Sequence, residues 1–282
     1  MAHFFADGSR ARKSTLDPDA IKGASRAVKS GAGLSPFWND CPAIMTNPGA
    51  GYGLYDDFND IGLIGTITTI ITDAALGRYL VFGGAGSTIV PDAALGGGIV
   101  LGLTDIDQAT SITTKQLPYQ ITSGAGSFWM ETRIKSSTIT TAEQAFFLGL
   151  MDATPQTAAV PLTADGAIAN INCVGFHKPQ ANLALFDTSY KANDVTAVEV
   201  NSNVGTLEVD TYIKLGMKFD TRNNVLSFYI NGATQAGSKT IPDATGTDFP
   251  ADVLMAPVMA ILAATDDAET LTVDWWKFYQ AR

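Results

Sequence analysis

The chain has 282 residues, 46% of them hydrophobic and only 16% charged, with 28 acidic against 18 basic side chains and a net charge of −10. Apolar content this high excludes a disordered chain, and charge falls well below the roughly 25% of an average soluble protein. No stretch reaches the roughly 18 consecutive apolar residues of a membrane span; the longest, Val253 to Ala264, is interrupted by Pro257, so no membrane partner is expected.

The charge is unevenly spread. Residues 1–30 hold Arg10, Arg12, Lys13, Lys22, Arg26 and Lys29 against Asp7, Asp17 and Asp19, an excess of three positive charges that leaves −13 on the rest. Nucleic acid requires a cationic surface on the folded part, so it is not an expected partner. The basic segment reads instead as an arm that docks onto an acidic protein surface. Asp17 as N-cap, Pro18 at the first helical position, Ile21, Ala24 and Val28 on one face and Gly31 as a stop predict a short helix over about residues 17–30. Its other face carries Lys22, Arg26 and Lys29. Gly31 to Gly53 is a Gly- and Pro-rich connector with an aromatic anchor in Pro36-Phe37-Trp38. The division is therefore an arm and connector over residues 1–53 and a single body over 54–282. Arg10, Arg12, Lys13, Lys22, Arg26, Lys29, Phe37 and Trp38 form the expected docking set.

From Leu54 onward the texture is strand after strand. Gly62 to Thr72 is rich in Thr and Ile, and Ile99 to Thr104 and Phe146 to Met151 are apolar runs bounded by turn residues. Phe128, Met130, Thr132 and Ile134 alternate with Trp129, Glu131, Arg133 and Lys135. In the same way Ile213, Leu215, Met217 and Phe219 share a face opposite Lys214 and Lys218. No window after residue 54 sustains a helical apolar period over three turns, and Asn-Asn, Asn-Gly and Gly signals mark the connections. Missing crossover helices exclude a parallel α/β sheet and point to an all-β antiparallel sandwich.

Five segments in order carry a family resemblance: Tyr55-Asp-Asp-Phe58; Ser127-Phe-Trp-Met-Glu-Thr-Arg-Ile134; Tyr212-Ile-Lys-Leu-Gly-Met-Lys-Phe-Asp220; Val225-Leu-Ser-Phe-Tyr-Ile-Asn-Gly232; and Leu271-Thr-Val-Asp-Trp-Trp-Lys-Phe-Tyr-Gln280. The chain from about residue 54 to 282 resembles the concanavalin A-like lectin and glucanase superfamily, laminin-G-like domains included. The resemblance implies a jelly roll of two curved antiparallel sheets and no single function. Glucanases of that superfamily set a nucleophile and an acid/base carboxylate on one strand, as Glu-x-Asp-x-x-Glu or a close variant. The nearest match, Glu208-Val-Asp210, could project both carboxylates from one strand face, but it lacks the second Glu, and an exposed acidic face is the other reading. Glu131 stands alone, and Asp105-Ile-Asp107 also lacks a third carboxylate, so no enzyme is expected.

Other chemistry has little support. Cys41 and Cys173 read as thiols. Cys173 and His177 share a strand face without the four ligands of a structural zinc site. Asp266-Asp267-Ala-Glu269 is the one calcium candidate, carboxylate oxygens suiting that ion, with a solvated acidic turn as the alternative. No other cofactor is expected. Trp275 and Trp276 point to opposite faces, one to the core and one outward. Trp276, Glu208 and Asp210 are the candidate carbohydrate set, with an outward tryptophan also able to contact protein or pack beneath a loop.

A basic arm, a low-charge body, no legible export signal in Met1 to Asp7 and no catalytic set lead to one expectation: a non-enzymatic virion protein, a bacteriophage capsid decoration protein made in the host cytoplasm. Its partners would be the major capsid protein and neighbouring copies, as a trimer at symmetric shell sites. A carbohydrate-binding or receptor-binding fibre module for a host glycan is the alternative, and a glycoside hydrolase is third.

Overall fold

The computed structural model describes residues 48–282 together with Trp38 and Cys41, apart from 60–64, 67–70, 94–96, 105–107, 117, 123, 140–143, 153–160, 197, 236–238, 241–247 and 264–267. The expected helix over residues 17–30 and its basic residues lie outside the described residues, as do Phe37, Asp266 and Asp267.

The strands form two sheets. Sheet I runs β15 (Ala233–Thr234), β14 (Val225–Ile230), β13 (Ile213–Asp220), β8 (Phe128–Ser136), β18 (Glu269–Ala281), β6 (Ile99–Leu103), β5 (Thr88–Pro91) and β2 (Gly65–Thr66). β16 (Lys239–Thr240) adds to β14, and β1 (Gly51–Asp56) adds to the second half of β18, where β6 has ended. Sheet II runs β12 (Val198–Thr206), β11 (Leu185–Lys191), β10 (Cys173–Lys178), β9 (Gln144–Met151), β17 (Ala256–Ala263), β7 (Ala109–Thr114), β4 (Tyr79–Gly83) and β3 (Ile71–Leu76). Pairing between these strands is antiparallel throughout. Among the described residues the only helical segments are single 3-10 turns, so the all-β antiparallel sandwich expected from the alternation is what folds.

One apolar cluster joins the inner faces. Phe128, Met130 and Ile134 from β8 and Leu215, Met217 and Phe219 from β13 meet Phe146, Leu148 and Leu150 from β9 and Val174 and Phe176 from β10. The period-two pattern in the sequence therefore marks the core side correctly. Turn chemistry fits as well. Asn231 (φ 50°) and Gly232 (φ 81°) both adopt left-handed backbone, the conformation a two-residue hairpin turn requires between β14 and β15. In Tyr55-Asp-Asp-Phe58, Asp56 Oδ1 accepts the Phe58 amide at 2.7 Å and its other oxygen accepts the Tyr79 hydroxyl. That turn delivers Phe58 into the core at 5.4 Å from Trp276.

Alternation alone misassigns one residue. Leu271 and Val273 face the core, and an unbroken strand would send Trp275 in and Trp276 out. The register of β18 against β8 slips between Val273 and Trp275, so that Trp275 lies opposite Arg133 and Trp276 opposite Thr132. This bulge inverts the phase. Trp276 is 1% exposed, packed 5.6 Å from Tyr79 and 5.3 Å from Phe278, while Trp275 is partly exposed. Trp276 is thus a core residue and no sugar platform.

Replacing Trp276 with Ala should cost about 3–5 kcal/mol, the range for deleting a large buried aromatic. Trp275→Ala should cost under about 1 kcal/mol. Chemical denaturation of the two variants checks this, and the reverse ranking would contradict the bulged register.

Candidate functional site

Two places on the molecule hold more chemistry than a sandwich requires. The first is the outer face of sheet I. Glu131 on β8 points away from the core, yet it is 1% exposed. Lys277 on β18, opposite it in register, reaches its carboxylate at 3.0 Å, and the Trp38 indole N–H donates to the same oxygen at 3.0 Å. Trp38, Cys41, Trp129 and Tyr279 form a small cluster over this pair. The Lys277 ammonium lies 4.4 Å from the Trp38 ring centroid and 5.2 Å from that of Trp275. Burial is the largest influence on both charges, raising the Glu131 pKa and lowering that of Lys277, and each partner opposes the other's shift. Desolvation thus takes back much of what the ion pair gives. The bond from Trp38 selects one position for that indole, which is the specific consequence of keeping the charges there.

The second is a cleft of about 420 Å³ at the seam between the sheets. Tyr52 and Leu54 of β1 form one wall, with Tyr119 behind; Arg78, from the β3–β4 turn, and Lys115 and Gln116, from the segment after β7, line it from the sheet II side. Tyr52 and Tyr119 stack at 5.7 Å. The Tyr52 hydroxyl lies between the Pro118 carbonyl and Gln280 Oε1, the latter at 2.8 Å. Gln280, itself 1% exposed, also accepts the Gln120 amide at 3.0 Å and donates to the carbonyls of Gln120 and Gly126. This amide ties β18 to both walls. Burial raises the Tyr52 pKa and the Arg282 charge opposes the rise; the Arg282 guanidinium lies 6.0 Å from the Tyr52 ring.

The outer face of sheet II is a contrast. Ala145, Phe147 and Met151 of β9, Cys173 of β10 and Val258 and Leu262 of β17 are buried there beneath Leu162, Ile168 and Ile171. His177 on the same strand as Cys173 is buried and bonds the Gly166 carbonyl at 2.8 Å through Nε2. Both cysteines are buried free thiols, and complete burial pushes the Cys173 pKa up.

The chain is similar to peanut lectin bound to a nine-residue peptide, with a TM-score of 0.53, 13% identity, and coverage of 82% of this chain and 97% of that one. The fold is a lectin-type jelly roll, as the concanavalin A-like resemblance implied. Two further similarities are to a conserved carbohydrate esterase of the Shiga toxin-encoding bacteriophage phi24B (TM-score 0.44, 16% identity, 72% and 90% coverage) and to an endo-β-1,4-glucuronan lyase from the fungus Trichoderma reesei (0.48, 9%, 81% and 94%). No family model and no curated protein matches the chain.

On this jelly roll the candidate carbohydrate residues do not come together. Glu208 and Asp210 lie beyond the end of β12, in an exposed turn where Thr211 N–H bonds the Glu208 carbonyl at 3.1 Å and Asp210 has φ 53°. They do not share a strand face, because the left-handed backbone at Asp210 ends the alternation. Trp276 is in the core. Trp38, expected in the docking set, instead packs on its own sheet. Glu269 of the calcium candidate is fully buried at the start of β18, where its charge acts on Lys178. Among the described residues no three His, Cys, Asp or Glu side chains group to hold a metal ion. No local pattern in the sequence marks the cleft, whose charged lining residues, Arg78 and Lys115, come from separate turns.

Lys277→Met leaves Glu131 buried without its cation and should cost about 3–5 kcal/mol; adding Glu131→Gln should recover most of that loss in the same denaturation assay. Trp38→Phe, which removes one donor, should cost about 1–3 kcal/mol. A second expectation concerns Lys178, 1% exposed, whose ammonium donates to the Gln144 carbonyl. Burial pushes its pKa down to about 8 from 10.5, with Glu269 opposing. Between about pH 8 and 9 the unfolded chain holds this proton and the native one releases it, so the group's contribution rises with pH. Cys173 slopes the other way, since its thiol ionises only when unfolded, but equally in both proteins compared. Wild type minus Lys178→Met should therefore gain on the order of 1 kcal/mol over that interval. A pH-independent difference in denaturation midpoints would contradict it.

Proposed function

We propose that this protein is a non-catalytic virion component, a capsid decoration protein held on the shell by its basic N-terminal segment. The observation that supports the reading best is the Trp38 contact with Glu131 and Lys277, which ties the connector to the outer face of sheet I. A tethered connector transmits the arm's grip to the body; a loose one would let the body swing. The charge division agrees with it: a segment with three excess positive charges leads into a chain otherwise at −13, so copies repel in solution and need a cationic tether to pack on a shared surface. The major capsid protein, neighbouring copies and a three-fold arrangement are the partners this reading requires. It also accommodates the described strands, on none of which two carboxylates stand at i and i+2 as in a glucanase.

A second reading, carbohydrate recognition, is favoured by the Tyr52–Tyr119 cleft, which combines an apolar wall with polar groups at its rim as small-molecule sites do.

A variant lacking residues 1–30 should fold, because the core cluster begins at Phe58, and should fail to co-sediment with capsid shells. The full chain should dissociate progressively as salt rises, as exposed charge contacts do. Full occupancy by the truncated protein would overturn the decoration reading.

A further inference from the structure

The body as a whole repels anions, yet the cleft at the sheet seam gathers cations. Arg78 and Lys115 are both exposed at its rim, and the Lys115 amide bonds the Arg78 carbonyl at 3.0 Å, fixing the two turns side by side. Arg282 stands by Tyr52, its own amide bonded to the Ala50 carbonyl at 3.0 Å. Among the described residues no carboxylate lines the cleft. Asp56 accepts from Phe58 and Tyr79 and meets Arg78 Nε only at the long distance of 3.8 Å, with the Arg78 side chain 61% exposed. Such a contact does little to neutralise an exposed guanidinium. Across from these charges lie Tyr52 and Leu54, a flat apolar wall whose ring is held by Gln280 and Pro118 and so loses little freedom when something packs on it. Gln116 and Thr114 add neutral polar groups.

An apolar wall facing cations, with neutral hydrogen-bonding groups between, matches one ligand class: a ring with an apolar face, hydroxyl groups and a carboxylate. We propose that this cleft binds an acidic saccharide, a uronic acid unit or its equivalent, with Tyr52 and Leu54 against the sugar ring and Arg78 and Lys115 on the carboxylate. Charge-assisted bonds from guanidinium to carboxylate supply orientation as well as attraction. The small local positive field concentrates such a ligand against the repulsion of the rest of the body. This inference rests on the carbohydrate reading above and names its substrate class and its residues. It needs neither the outer face of sheet II, which Leu162, Ile168 and Ile171 cover, nor Glu208 and Asp210.

The test uses the full-length protein, calorimetry, and amide shifts at Lys115 and Gln116. The probes are tetraglucuronate, cellotetraose of the same length, and a short polyglutamate as a carboxylate without sugar. Tetraglucuronate should bind, weakening with salt, with cellotetraose and polyglutamate each at least about tenfold weaker. Arg78→Ala and Lys115→Ala, both at exposed turns, should each weaken it about tenfold or more, and Arg222→Ala, in the β13–β14 turn and outside the cleft lining, should not. Equal binding of both sugars would overturn the acidic class while leaving carbohydrate recognition standing. Binding of neither sugar would overturn both. Equal binding of polyglutamate, or tetraglucuronate binding unchanged in the Arg78 and Lys115 variants, would overturn the site.

Discussion

One slipped residue between Val273 and Trp275 sets the faces of the strand at the centre of sheet I, and much of the molecule depends on it. Before the slip, Leu271 and Val273 point inward; after it, Trp276, Phe278 and Gln280 do. Only in the second phase can Lys277 stand on the outer face opposite Glu131, where Trp38 closes over the pair. Only in that phase does Gln280 reach Tyr52, Gln120 and Gly126 and hold the two walls of the cleft together. The local twist a bulge adds to a strand also suits a sheet that must curve around a core. A single register defect thus places both the connector's attachment and the cleft.

The buried charges follow a common logic. Glu131 with Lys277, and Lys178 near Glu269, lie where desolvation works against ionisation, and the shifts of Glu131, Lys277 and Lys178 all run in the direction burial dictates. Pairs of this kind contribute little net stability, whereas removing one member is expensive. Their effect is geometric: an indole N–H at position 38 finds one strong acceptor on a face otherwise covered by rings and aliphatic stems. An apolar patch would hold the indole loosely in several positions; a buried carboxylate acceptor holds it in one.

The sequence made the strands legible wherever one face meets the core, because alternation is a local signal: Phe128 to Ile134 and Ile213 to Phe219 read correctly, as did the Asn231-Gly232 turn. It misled where the deciding contact is remote. Glu131 looked like a lone surface carboxylate because its strand position faces outward, and its cover comes from a residue 93 positions away. Alternation says only that Trp275 and Trp276 face opposite ways, and nothing in Val-Asp-Trp-Trp announces the bulge that sends Trp276, the candidate sugar contact, into the core. Glu208 and Asp210 were counted as strand where the backbone has already turned left-handed. The cleft assembles Tyr52, Arg78 and Lys115 from three separate parts of the chain, and no local pattern joins them. Lone cations in turns are ordinary, and only their convergence on an aromatic wall gives them meaning.

The chain has four tryptophans, and their indole N–H groups report the phase of β18 directly. Hydrogen exchange of the four, assigned by single Trp→Phe variants and followed by nuclear magnetic resonance, tests whether the bulge sets the faces. Slow exchange is expected at Trp276, Trp129 and Trp38, each under 8% exposed, and fastest exchange at Trp275. Fast exchange at Trp276 with protection at Trp275 would mean an unbroken strand, and would contradict the placement of Lys277, Trp38 and Gln280 together.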